Sequence, residues 1–145
     1  MEKLKKGIIG AVELCSLPVL GLFDIKVRVD TGAKTSSLHV DNIQVLDING
    51  VSKVQFDIHP DKHDVQSILT MCEDIIDFRV IKSSNGDEEQ RYVIKSPIKL
   101  GSDQWDIEIT LSNRAQMTYL MLLGREGLGS RFLVDPALDA TNILN

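Results

Sequence analysis

Ile25-Lys26-Val27-Arg28-Val29-Asp30-Thr31-Gly32-Ala33-Lys34-Thr35-Ser36-Ser37-Leu38-His39-Val40 decides how this chain is read. Ile25, Val27 and Val29 alternate with Lys26 and Arg28, the period of a half-buried strand. The strand runs into Asp30-Thr31-Gly32, where a carboxylate stands two residues before a glycine that permits a tight turn. Such a turn lifts the carboxylate off the sheet and fixes its position. By itself the triplet is also ordinary turn chemistry, because Asp accepts from nearby backbone amides and Gly relaxes the dihedrals. A chemical role for Asp30 needs support from elsewhere in the chain.

That support stands near the other end. Tyr119 to Leu123 is an apolar run closed by Gly124-Arg125 and followed by a short helical stretch at Glu126-Gly127-Leu128. Together the two pieces resemble the retropepsins, the retrovirus-type aspartic peptidases. In that family a D-T-G-A loop is followed much later by a hydrophobic-hydrophobic-Gly strand packed beneath it. Further pieces stand in order along the chain: V-D-T-G-A-K-T-S-S-L-H (29–39), F-D-I-H-P (56–60), S-S-N-G (83–86), L-S-N-R (111–114), M-L-L-G-R (121–125) and R-F-L-V-D-P (131–136). The set is similar to a bacterial retropepsin-like group labelled ATP-dependent zinc proteases, whose members are associated with ATP-grasp glutamate ligases.

The resemblance implies an all-β fold, a closed retropepsin-like acid-protease barrel with one short C-terminal helix. It implies a catalytic Asp30, with Thr31 locking two loops together and Gly32 letting them approach. Aspartic peptidases activate water with two carboxylates that share one proton, and this chain holds a single D-T-G. The resemblance therefore implies a homodimer, the second Asp30 coming from another copy across a two-fold axis. Ala33, Lys34 and Arg125 are the expected contacts to a peptide or protein substrate.

One departure bears on that substrate. Viral members carry an acid four positions after the catalytic Asp, paired with the arginine of the Gly-Arg motif, and here that position is Lys34. Two readings follow. Lys34 points to solvent while Arg125 pairs with another acid such as Asp135, or both cations face the cleft and favour acidic, Glu-rich substrates.

Length and charge bound the rest. At 145 residues a single domain, 1–145, is expected. The net charge of −5 argues against a general nucleic-acid binder. Cys15 and Cys72 form no disulfide framework and read as free buried thiols, with one bridge as the alternative. Lys3, Lys5 and Lys6 before the apolar Gly7–Leu22 loosely imitate a signal peptide, but Glu13 and Pro18 interrupt it and no small-x-small site follows. The stretch reads better as a first strand and a Pro-Val-Leu-Gly turn, so a cytoplasmic protein is expected, export being the alternative. No apolar run is long enough to span a membrane.

Along the chain, Ile43–Ile48, Asn49-Gly50 and Val51–Ile58 read as a hairpin. Val65, Ile68, Leu69, Cys72, Ile75 and Ile76 keep helical spacing, whereas the resemblance implies extended chain from about Leu69, which is the expectation adopted. Phe78, Val80 and Ile81 lead to a polar turn at 83–87, answered by a strand from Tyr92 to Ile98. By position this second hairpin is the counterpart of the retropepsin flap, without the glycine-rich tip of viral flaps. Trp105, Ile107, Ile109 and Leu111 alternate as a last long strand.

The rival chemistries are poorly served. His39, His59, His63 and Cys72, with Cys15, are the zinc-ligand candidates, but neither H-E-x-x-H nor C-x-x-C occurs. His39 reads instead as a hydrogen-bonded residue close to the D-T-G loop. Gly32-Ala33-Lys34-Thr35 is only superficially like a P-loop, since its lysine does not follow a glycine and Val27 holds the position of the first one. Neither a metal nor a cofactor is therefore expected. A non-catalytic peptide-binding module on the same scaffold is the competing functional class.

Overall fold

The structure is a computed structural model that describes residues 7–60, 67–82, 85–113 and 118–139. Its strands are β1 (Gly7–Ile9), β2 (Val12–Leu17), β3 (Leu22–Val29), β4 (Ser36–His39), β5 (Asp41–Ile48) and β6 (Val51–Ile58). They continue with β7 (Leu69–Asp74), β8 (Asp77–Lys82), β9 (Glu88–Leu100), β10 (Asp103–Ser112), β11 (Met121–Leu123) and β12 (Phe132–Val134). One α-helical turn, α1 (Arg125–Leu128), and one 3-10 turn, Pro18–Leu20, complete the elements. His63, Ser83, Ser84 and Arg114, named above, lie outside the described residues, as do Lys3, Lys5, Lys6 and Val65.

Six strands close on themselves in the order β10-β4-β11-β3-β2-β9, the ring being completed by antiparallel pairing of β9 with β10. Closure removes the free edges that an open sheet would present. β3 with β11 and β4 with β10 are the parallel pairs of this ring. The inward positions of the alternating strands make one apolar cluster: Ile25, Val27 and Val29 from β3, Trp105, Ile107, Ile109 and Leu111 from β10, Met121 and Leu123 from β11. The expected all-β closed barrel is the observed one. β5, β6 and β7 form a separate three-stranded sheet, and β1 pairs in parallel with β12.

The expected first strand is broken in two. A Cβ on Gly10 would lie 2.1 Å from the Leu138 carbonyl oxygen, so only glycine admits the close crossing of the chain between β1 and β2. The Asn49-Gly50 hairpin between β5 and β6 has positive φ at both turn residues, +54° and +80°. That is what a two-residue turn matched to strand twist demands.

The 64–76 ambiguity resolves to strand where it is described. β7 pairs with β6 from Leu69↔Ile58 to Asp74↔Lys53. Ile68 and Ile76, which completed the helical spacing, are 48% and 44% exposed. Cys72 is on the exposed side of β7, correcting the expectation of two buried thiols; Cys15 is buried, and both are free. β8 and β9 form the second hairpin, with Gly86 at its tip at φ +90°. Among the described residues no helix is long and apolar enough to cross a membrane.

Candidate active site

β3 ends at Val29 and hands Asp30 to a loop over 30–35 before β4 begins. β11 lies between these two strands, paired with β3 through Leu123↔Val29 and with β4 through Met121↔Leu38. The apolar run at 121–123 is thus the floor beneath the loop. The Asp30 N–H donates to the Leu123 carbonyl at 2.9 Å.

The loop is held by short-range bonds that its composition explains. Asp30 Oδ1 accepts from the Gly32 N–H at 2.9 Å, and the Ala33 N–H donates to the Asp30 carbonyl at 3.2 Å. This is the Asx-type turn anticipated from the triplet. Asp30 is half-buried, while Thr31 and Gly32 project into solvent. The carboxylate is therefore fixed in place and still reachable.

α1 grips the loop from the other side. The Arg125 N–H donates to the Ala33 carbonyl at 2.8 Å and the Glu126 N–H to the Lys34 carbonyl at 3.1 Å. The Arg125 guanidinium, through Nη1, donates to the carbonyls of Thr31 at 3.0 Å and Gly32 at 3.1 Å. Arg125 was expected either to pair with Asp135 or to face substrate. Its side chain instead clasps the backbone of the candidate catalytic loop, and Asp135 Oδ1 accepts from the Ala137 N–H. The exposed Lys34 ammonium lies 3.7 Å from Glu126, which follows Arg125 on α1. A pair so exposed contributes little.

Gly124, which closes the apolar run, and Ser36, to which sequence reasoning assigned no role, complete the seat. A Cβ on Gly124 would lie 2.6 Å from the Thr35 carbonyl oxygen, so glycine is required by close backbone approach. The buried Ser36 hydroxyl accepts from the Gly124 N–H at 3.0 Å. The only hint in the sequence was the Leu-Leu-Gly-Arg pattern; nothing marked Ser36. Behind α1, the Trp105 indole N–H donates to the Gly127 carbonyl at 2.8 Å, anchoring the helical turn to the barrel.

The remaining candidates do not converge. His39 ends β4, where its N–H donates to the Leu120 carbonyl. His59 Nε2 stands 2.8 Å from Asp41 Oδ2 at the start of β5. Cys15 is in the core, its thiol pushed up to about 12 by burial and then by the nearby Glu13 charge. Among the described residues no three His, Cys, Asp or Glu side chains form a group able to hold a metal ion.

A closed six-stranded β-barrel carrying an Asp-Thr-Gly loop over a Leu-Leu-Gly-Arg floor is a retropepsin-like architecture. The chain belongs to the RimB-like family, described as the retropepsin-like aspartic endopeptidase RimB, whose model matches residues 8–144. A solved Legionella pneumophila protein of unknown function, Lpg0085 (DUF785), superposes with a TM-score of 0.78 at 29% identity, covering 95% of this chain and 99% of that one. A Desulfotalea psychrophila protein named "Probable alpha-L-glutamate ligase" is 48% identical over 137 residues, 94% of this chain. A Shewanella halifaxensis protein of the same name is 49% identical over 132 residues, 91% of this chain. The chain spans about 30% of the length of these curated relatives.

Proposed function

We propose that this chain is one half of an aspartic peptidase, in which two copies bring their Asp30 carboxylates together to activate water. The observation that carries the reading is the Asp30 loop itself. It is tied to β11 and α1 at its base and leaves Thr31 and Gly32 exposed at its crest, the arrangement suited to meeting a second copy. An isologous contact would set residue beside its own copy. Two carboxylates at hydrogen-bond distance then share one proton. The ionised member takes a proton from water, and the protonated one polarises the scissile carbonyl. Water adds directly to the peptide carbon without a covalent enzyme intermediate.

The substrate class we propose is an acidic, Glu-rich peptide or protein tail. Lys34, with Glu126 nearby, is exposed beside the loop, and the Arg125 guanidinium, although it is bonded to the Thr31 and Gly32 carbonyls, keeps its positive charge there; a dimer doubles both. The names of the relatives, which place a homologous segment in probable glutamate ligases, point the same way. Because these cations are solvent-exposed, their combined preference is about 1–2 kcal/mol, on the order of tenfold, and weakens with salt.

The test pairs sedimentation at micromolar concentration with cleavage of acidic, neutral and basic peptides at two salt concentrations. Twice the chain mass and salt-sensitive cleavage favouring the acidic peptide are expected. Binding without cleavage by a monomer would leave the peptide-binding module as the better account. Equal handling of all three peptides would remove the substrate assignment.

A further inference from the structure

Arg91 is 4% exposed in the first part of β9, a position that an apolar residue would fill without the desolvation that a buried guanidinium incurs. Its Nε and Nη2 both donate to Glu89 Oε2, at 3.1 and 2.9 Å, and the Ser112 hydroxyl donates to the same carboxylate. An ion pair with one partner buried and the other half-exposed is weak evidence for stability, so its use has to be sought in what it touches. Arg91 Nη1 reaches the buried Thr110 hydroxyl at 3.4 Å, and that hydroxyl donates to the Ser36 carbonyl at 2.8 Å. Ser36 opens β4 at the end of the Asp30 loop, and its own hydroxyl accepts the Gly124 N–H. The next residue is Arg125, whose guanidinium holds the Thr31 and Gly32 carbonyls.

We infer that Glu89, Arg91 and Thr110 are positioning residues for Asp30, forming a polar line from the turn end of the β8–β9 hairpin to the underside of the Asp30 loop. A cation donating to the Thr110 hydroxyl polarises it and strengthens its bond to the Ser36 carbonyl, and successive bonds in such a line reinforce one another. The line has one half-exposed end, the Glu89 carboxylate, 43% exposed, just past the hairpin turn. Its other end is a loop whose carboxylate must be placed to within a fraction of an ångström for catalysis. Movement of the hairpin arm thereby shifts the seat of the loop. The assignment of a catalytic task to that loop rests on the function proposed above; the mechanical linkage does not.

The experiment compares Thr110→Val, which keeps the volume and removes the hydroxyl, with Thr110→Ser, which restores it, and with the core control Ile109→Val. In amide NMR spectra of the full chain, Thr110→Val should displace the Gly32, Gly124 and Arg125 resonances, and Thr110→Ser should return them towards wild type. Ile109→Val should leave those three in place at comparable loss of thermal stability. Glu89→Gln, at a half-exposed site that tolerates change, should move the same three resonances in the same direction by less. In a peptide-cleavage assay, Thr110→Val should lower kcat at least tenfold with KM unchanged. If wild type cleaves no peptide, the peptidase reading fails while the amide shifts still decide the linkage. Equal shifts from Thr110→Val and Ile109→Val, failure of Thr110→Ser to restore, or silence of Glu89→Gln if Thr110→Val does not fold would overturn the inference.

Discussion

Arg125→Met is the most informative single substitution in the Asp30 loop's support. It keeps a long apolar stem and removes the two bonds from Nη1 to the Thr31 and Gly32 carbonyls, at 3.0 and 3.1 Å. Hydrogen bonds to a charged group contribute about 1.5–3 kcal/mol when shielded from water. These two share one nitrogen and are exposed, so the loss expected is about 1 kcal/mol, or roughly 3–4 °C in Tm for a chain of this size. The local effect should exceed the global one, because the backbone bonds from Arg125 and Glu126 to Ala33 and Lys34 remain. Amide exchange at Gly32 and Ala33 should accelerate about five- to tenfold, while the β10 amides exchange as before. Arg125→Lys should recover part of the loss, since an ammonium can reach one carbonyl but lacks the planar fork. Unchanged exchange at Gly32 and Ala33 in Arg125→Met would refute the idea that this side chain clasps the loop.

Three other outcomes are expected. A thiol reagent should titrate one cysteine in the folded protein, the exposed Cys72, and a second only in denaturant, because Cys15 is buried with its thiol pushed up to about 12; two rapidly reacting thiols in the native state would contradict this. The Asp57 carboxyl is held below its ordinary value by the Thr70 hydroxyl and then by Asn42. Its contribution to stability is present above the unfolded value and is lost as pH falls through the folded one, so Thr70→Val should move the acid-unfolding midpoint of that limb to higher pH. Gly124→Ala should destabilise by about 1–3 kcal/mol, measured by urea unfolding, because the new methyl meets the Thr35 carbonyl and neither backbone can yield cheaply.

The barrel was legible because its strands obey simple alternation. Ile25-Val27-Val29 and Trp105-Ile107-Ile109-Leu111 turn inward as their period requires. The segment around Leu69 was not legible from periodicity, since six apolar residues there fit a helix, whereas Leu69–Asp74 pairs with β6 and Ile68 and Ile76 on either side of it are exposed. Asp30, Thr31 and Gly32 announced their loop because a carboxylate and a glycine at that spacing have few other local solutions. The clasp made by Arg125 was hidden, because its partners are backbone carbonyls, which every residue possesses. Arg91 and Thr110 were hidden for a related reason. Polar residues at alternate positions of a strand read as solvent-facing; these two do lie on the face opposite Ile94 and Ile109, yet both are buried. Once the strand is known, Glu89, Arg91 and Val93 fall on one face.

The central claim is that catalysis needs an Asp30 from each of two copies, and subunit mixing tests it most directly. Wild-type chain is mixed and equilibrated with increasing Asp30→Asn chain at constant total concentration, and cleavage of a Glu-rich peptide is followed. Asn keeps the shape of the side chain but can neither act as base nor share the proton. If the dyad is shared across a two-fold axis, activity falls as the square of the wild-type fraction, to about a quarter in an equal mixture. A linear fall to about one half would mean that each chain works alone, and the shared dyad would have to be abandoned.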